Sequence, residues 1–275
     1  NLSGWIRFRA KGEAGRKITF KFNESLDSLG LVDMKHCHKF TYGRFQTGEL
    51  IPDGPGINTY EPRFTYHAFR YVQIEGLPEK PGLEDILAIR VFAGMENAGS
   101  FSCSNDLMNQ AQEVMLRTTE NYMHHHPADP VREKLGWTQD AQTIADMSMY
   151  NFNMARIYKK WIRDFYEAQE ESGHVIPIAP TSGWGGWYPD GRPGACSDPW
   201  WGGASVYLPW DCYRFYGDVR FLEEGYEHMK AYVDFLGTTA RDYILDWQLG
   251  DWLEVGATHK AVRTPVEQTS TSAYY

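Results

Sequence analysis

The spacing of apolar residues changes period partway along the chain, and that change limits its folding more than any other feature. In Lys17-Ile18-Thr19-Phe20-Lys21-Phe22 the apolar residues alternate, placing Ile18, Phe20 and Phe22 on one face and the lysines and threonine on the other. Period two is the signature of a half-buried strand. Trp5-Ile6-Arg7-Phe8-Arg9 alternates likewise, and Phe69–Ile74 and Ile86–Val91 are further β-rich runs separated by glycine and proline turns. Short strands spaced by turns predict a β-sandwich over residues 1–98. From Ser104 the period becomes about 3.6: Ser104 reads as an N-cap, and Leu107, Met108, Ala111, Val114, Met115 and Tyr122 share one helical face. Pro127 and Pro130 end this helix. Helical patterns resume over 141–168, 204–216 and 219–236, and Thr271–Tyr275 reads as the opening of another helix. Without alternation of strands and helices a parallel sheet is excluded, so residues 99–275 are expected to be all-α.

Between the first two helical stretches lies Asp129-Pro130-Val131-Arg132-Glu133-Lys134-Leu135-Gly136-Trp137-Thr138-Gln139-Asp140. Three carboxylates, two cations and a tryptophan crowd into it. Carboxylates this close repel one another unless held, and Arg132 and Lys134 are the available counter-ions. Burial or a like-charged neighbour raises a carboxyl pKa, which a general acid near neutral pH requires, and Trp137 offers a face on which a sugar ring can stack. A second reading is structural: a charged loop leading into a helix, with Thr138 as N-cap and Asp140 favouring the helix dipole.

Two later segments share this character. Ser182-Gly183-Trp184-Gly185-Gly186-Trp187-Tyr188-Pro189-Asp190-Gly191 and Ser197-Asp198-Pro199-Trp200-Trp201-Gly202-Gly203 combine glycines, which let backbone approach a ligand, with indole faces. Gly250-Asp251-Trp252-Leu253-Glu254 is a third. Trp184, Trp187 and Trp201 are therefore candidate sugar contacts, while Asp198 reads as a helix N-cap and Asp251 as a turn cap. The chain is 15% aromatic, with 10 Trp and 17 Tyr, which suits either a sugar cleft or bulky cores.

A net charge of −9 excludes nucleic acid as a partner, since phosphates need a basic surface. No apolar run reaches the roughly eighteen residues of a membrane span. Cys37, Cys103, Cys196 and Cys212 contain no C-x-x-C pair, so zinc and redox sites are not expected and the thiols read as lone buried groups, a Cys196–Cys212 bridge being the alternative. His124-His125-His126 cannot all ligate one metal from a helix end. Phosphate loops, zinc helices and serine-hydrolase elbows are absent. Neither a cofactor nor a metal is expected.

Pro130-Val131-Arg132-Glu133-Lys134-Leu135-Gly136-Trp137, followed by Asp140, resembles the signature of the bacterial α-L-rhamnosidases of glycoside hydrolase family 78. Tyr60-Glu61-Pro62-Arg63-Phe64-Thr65-Tyr66-His67 is similar to a string in the β-sandwich preceding that family's catalytic barrel, and Ser197–Gly203 with Pro209-Trp210 and Gly250-Asp251-Trp252 resemble elements lining its cleft. The resemblance implies a β-sandwich followed by an (α/α)6 barrel, inverting cleavage of terminal α-L-rhamnosyl or similar deoxy-sugar residues, Glu133 as general acid, and Asp129, Arg132, Trp137, Asp140, Asp198, Asp251 and Trp252 among the sugar-binding residues. One position departs: the family's leading Asp falls on Ala128 and its Cys on Asp129. The implied base is a glutamate well downstream, expected past Tyr275, with Asp251 and Glu254 as weaker alternatives. A full ring of twelve helices needs upward of about 250 residues, against roughly 175 after the sandwich, so an incomplete barrel, inactive alone, is expected. The resemblance also implies export to the periplasm or medium and a glycoside or oligosaccharide partner; it sets no oligomeric state. The rival reading is a non-catalytic carbohydrate-binding or scaffold protein with a degenerate site.

Overall fold

A computed structural model of the chain describes residues 1–35, 44–181, 185–194, 196–247 and 264–275. Two compact units emerge: Asn1–Met95 with Phe101–Lys134, and Glu96–Ser100 with Leu135–Tyr275.

Alternation shapes the first unit. β1 (Leu2–Lys11) pairs antiparallel with β4 (Ile57–Tyr60), β5 (His67–Phe69) and β7 (Ile86–Arg90), while β2 (Ile18–Asn23) is flanked by β3 (Thr47–Leu50) and β6 (Tyr71–Glu75). Ile6, Phe8, Ile18, Phe20, Phe22, Tyr60 and Phe69 form one core, in which Phe20 stacks on Tyr60 at 4.2 Å and meets Phe8 edge-on at 5.3 Å. The run Phe69–Ile74, expected as one strand, divides at Arg70. Its first part joins the sheet of β1 and its second the sheet of β2, because the Arg70 N–H turns to the Asn23 carbonyl at 3.0 Å.

α1 (Asp106–Tyr122) follows, packed on β1. Its N-cap is Asn105 rather than Ser104: the Asn105 side chain accepts from the N–H groups of Leu107 and Met108. The helix stops at Tyr122, ahead of the prolines. The face expected to be buried is not, for Leu107 is 72% and Val114 60% exposed, while Thr119 is the helix's buried residue. Period was read correctly, but packing among the described residues falls elsewhere.

The second unit surrounds α5 (Pro199–Tyr216), on which α2 (Thr138–Thr143), α3 (Ala145–Asn151), α4 (Ala155–Glu167), α6 (Arg220–Glu223), α7 (Tyr226–Thr239) and α8 (Val266–Tyr274) all pack. α5 opens with Pro199 in its first turn and closes on Gly217 at φ 65°, a left-handed cap that suits glycine. α4 buries Tyr158, Trp161, Ile162 and Phe165, one heptad-like stripe. The stretch 141–168, expected as one helix, is three. Asn151 bonds back to the Met147 carbonyl and Phe152 goes extended, pairing with Asn97, which takes the backbone out of the helix. Likewise 219–236 breaks at Gly225, where a Cβ would collide with the Tyr166 hydroxyl. Thr271–Tyr274 lies within α8, which begins at Val266, earlier than expected. Among the described cysteines, Cys103, Cys196 and Cys212 are free thiols, and Cys103 is exposed.

Candidate active site

In the β-rich unit the chain leaves α1 through His124, which stacks on Tyr66 at 3.8 Å and lies 2.8 Å from Ser3 Oγ through Nε2. Burial pushes its pKa down to about 4. His126 Nε2 faces the Lys134 carbonyl at 3.2 Å, and His125 is exposed. The His125 ring meets that of His126 edge-on at 4.1 Å, while His124 turns to Tyr66 and Ser3.

The motif loop follows, with both flanks of Glu133 held. On one side Asp129 accepts the N–H groups of Val131 and Arg132 at 2.9 Å each and takes the Arg132 guanidinium at 2.5–2.6 Å, an Asx turn closed by an ion pair. On the other, Lys134 adopts φ 60°, a left-handed conformation costly for a residue with a Cβ. Its N–H bonds the Asp129 carbonyl at 3.0 Å, and its Nζ donates to the Tyr66 carbonyl and sits over the rings of Tyr66 and Phe45 at 4.5 and 5.0 Å. Burial lowers the Lys134 pKa to about 8. Glu133 is half-buried between these anchors. Ala128, at the resembled family's Asp position, is fully buried, and its N–H donates to Tyr122 at 3.1 Å.

In the helical unit Gly136–Thr138 forms a short two-sided pairing with 177–179: Thr138 N–H donates to Pro177 at 3.0 Å and Ala179 N–H to Gly136 at 2.9 Å. Thr138 is not the N-cap. It is the first residue of α2, and its hydroxyl donates to the carbonyls of Trp201 and Pro177, while Trp137 occupies the N-cap position and makes no side-chain capping bond to the first turn. Trp161 Nε1 anchors the same strip through the Ala179 carbonyl at 2.7 Å. Trp137 is half-buried and Asp140 exposed in the first turn.

Asp198 is buried and caps α5, accepting Trp200 N–H at 2.7 Å. Trp187 packs edge-on against Phe235 and Trp247, each at 4.9 Å. Trp201 is half-buried, and its indole N–H makes no hydrogen bond among the described residues. Trp184, Asp251, Trp252 and Glu254 lie outside the described residues. Sequence reasoning missed the anchoring role of Tyr66, although it sits in a string already singled out. It also missed His174, a lone histidine with no motif around it.

A strand-built domain followed by a helical domain whose loops gather acids and tryptophans describes a concanavalin-like module ahead of a six-hairpin glycosidase domain. The family models agree: the bacterial alpha-L-rhamnosidase concanavalin-like domain matches residues 1–92, and the bacterial alpha-L-rhamnosidase 6 hairpin glycosidase domain matches residues 96–275. The chain belongs to the bacterial alpha-L-rhamnosidase family. An alpha-L-rhamnosidase of Formosa agariphila is 32% identical over 92% of the chain. The alpha-L-rhamnosidase structure from Dictyoglumus thermophilum superposes over the whole chain with a TM-score of 0.85 and 35% identity. That of the Streptomyces avermitilis enzyme complexed with L-rhamnose does so with 0.85 and 27%. The chain spans 27% of the Formosa relative and 30% and 25% of the two structures. No helix among the described residues is long and apolar enough to cross a membrane.

Proposed function

We propose that the protein to which this chain belongs hydrolyses terminal α-L-rhamnosides with inversion, and that Glu133 is the general acid. The observation that carries this reading is the loop itself: Asp129 with Arg132 on one side, and Lys134 on Tyr66 and Phe45 on the other, hold Glu133 within a turn that few local forces would otherwise select. A general acid must be aimed before it can donate, and a loop fixed at both ends aims it. Inversion needs a second carboxylate roughly 6.5–9.5 Å from the first, with water between them. Trp137, Asp140, Trp187 and Trp201, together with Trp184, Asp251 and Trp252, are the proposed sugar-side residues, Trp137 and Trp201 tied through Thr138. Asp129 and Asp198 would act through the geometry they hold, since their carboxylates already bond Arg132 and Trp200 N–H. We place the domain boundary near residue 98 and take the substrate to be an exported enzyme's glycoside or oligosaccharide. The name of the rhamnose-complexed relative supports the choice of sugar.

Glu133→Gln in the full-length protein tests this. Turnover of α-L-rhamnosides with poor leaving groups should fall by about 10²–10⁴-fold, while aryl rhamnosides with acidic phenols, which need less protonation, lose less. Equal activity of variant and parent on both substrates removes Glu133 from the mechanism. A parent that binds L-rhamnose but cleaves neither substrate favours the binding-protein reading, which the alanine at position 128 supports.

A further inference from the structure

One buried polar chain in the helical unit is unused by the acid chemistry. His174 is 0% exposed, its Nδ1 3.1 Å from Glu170 Oε2 and its Nε2 2.7 Å from Ser197 Oγ. Glu170 also accepts the Trp187 N–H, at 3.0 and 3.1 Å to its two oxygens. Its carboxylate lies so close to Gly186 that a Cβ there would stand 2.5 Å from Oε1. The His174 ring packs against Trp187, Phe235 and Trp247. With Nδ1–H donating to Glu170, Nε2 accepts the Ser197 hydroxyl, and every member is satisfied.

The order Glu–His–Ser invites comparison with a nucleophile triad, but Ser197 is only 2% exposed and leaves no room for an acyl or glycosyl group. What the chain does instead follows from what it touches. Glu170 holds the backbone at Trp187, and Ser197 immediately precedes Asp198, the cap of α5. One imidazole therefore fastens two separate loops to the same wall: one carries Trp187 of the proposed sugar side, and the other ends at the Asp198 cap of the helix that carries Trp201. A fully satisfied buried network selects a single geometry where apolar packing would accept several. Burial alone would raise the Glu170 carboxyl, yet the bonds from His174 and from the Trp187 N–H hold it below the usual range.

We infer that Glu170, His174 and Ser197 are positioning residues that set the Trp187 loop and the Asp198 turn for sugar binding. This rests on the reading of those elements as the sugar side. The test uses the full-length protein with Glu170→Ala, Glu170→Gln and Ser197→Ala, reading KM and kcat on an aryl α-L-rhamnoside, near-ultraviolet circular dichroism for the tryptophan environment, and melting temperature. KM should rise about tenfold in Glu170→Ala and Ser197→Ala, the scale of a lost charge-assisted bond, with kcat changed less. The tryptophan signal should shift in Glu170→Ala, and Glu170→Gln, which can still accept the Trp187 N–H, should recover most of the KM. Unchanged KM in folded Glu170→Ala and Ser197→Ala overturns the inference while leaving the proposed function standing. If Glu170→Ala does not fold, Ser197→Ala, which removes one oxygen, decides alone. A parent that neither cleaves the rhamnoside nor binds L-rhamnose overturns the proposed function, and the positioning role falls with it even if the tryptophan signal shifts.

Discussion

The buried nitrogen groups of the two units differ in their polar partners. In the β-rich unit His67 lies flat on Phe22, His124 on Tyr66, and Lys134 over two rings, and burial drives all three toward their neutral forms, to about 3, 4 and 8. In the helical unit His174 is equally buried but lies between a carboxylate and a hydroxyl. Strands leave flat aromatic surfaces between two sheets, and a ring inserted there meets another ring. Loops between short helices leave polar backbone that must be satisfied, so a buried histidine becomes a knot joining loops. The contrast lies in reach: His67, His124 and Lys134 each have a hydrogen-bond partner beside a ring, whereas His174, also packed on rings, joins a carboxylate and a hydroxyl from two loops.

The strongest way to break this comparison is to empty the aromatic core. Phe20→Ala should destabilise the protein by about 3–5 kcal/mol, since it deletes a fully buried ring held between Tyr60 and Phe8. Denaturant unfolding measures it, and a cost below about 1 kcal/mol would mean that the β-rich unit is loosely packed.

Acid titration sharpens the contrast next. The folded His124 pKa of about 4 lies below its ordinary 6.5, mainly through burial, with His125, His126 and Lys134 adding to the shift against an opposing backbone bond. Between these values the unfolded chain binds more protons, so stability is fully present above about pH 6.5 and declines as pH falls toward 4. Replacing His124 with Gln should lessen the fall of the unfolding midpoint over that window, leaving the like-signed contribution of His67. An unaltered slope would show that other groups set the acid limb.

The smallest expected effect is at α1. Asn105→Ala should cost about 1 kcal/mol and Ser104→Ala far less, because only Asn105 accepts the free N–H groups of the first turn. Thermal melting of the two variants side by side distinguishes them, and equal losses would return the cap to Ser104.

Much of the scaffold was legible because it depends on local periodicity. Ile18, Phe20 and Phe22 face one way in any extended chain, and a sheet with one buried face leaves no other arrangement. The motif around Glu133 was legible for a different reason: its residue types are chemically unusual at that density. The rest depended on partners distant in sequence. Phe69–Ile74 reads as one β-rich run, and although its alternation slips at Tyr71-Val72, nothing within it announces that Arg70 turns to Asn23 and sends its halves to different sheets. The helical pattern of 141–168 is continuous, yet Phe152 leaves the helix to pair with Asn97.

By itself, then, the sequence determined the order of a strand-built and a helical region and the faces of β1 and β2, because each follows from spacing along one stretch of chain. Only the tertiary structure decided that Lys134 rests on Tyr66, that Thr138 serves Trp201 rather than its own helix, and that Glu170, His174 and Ser197 form one chain. Each of these joins residues from 4 to 68 positions apart through hydrogen bonds. A hydrogen bond depends on where two atoms meet in space, and spacing along the chain does not record that.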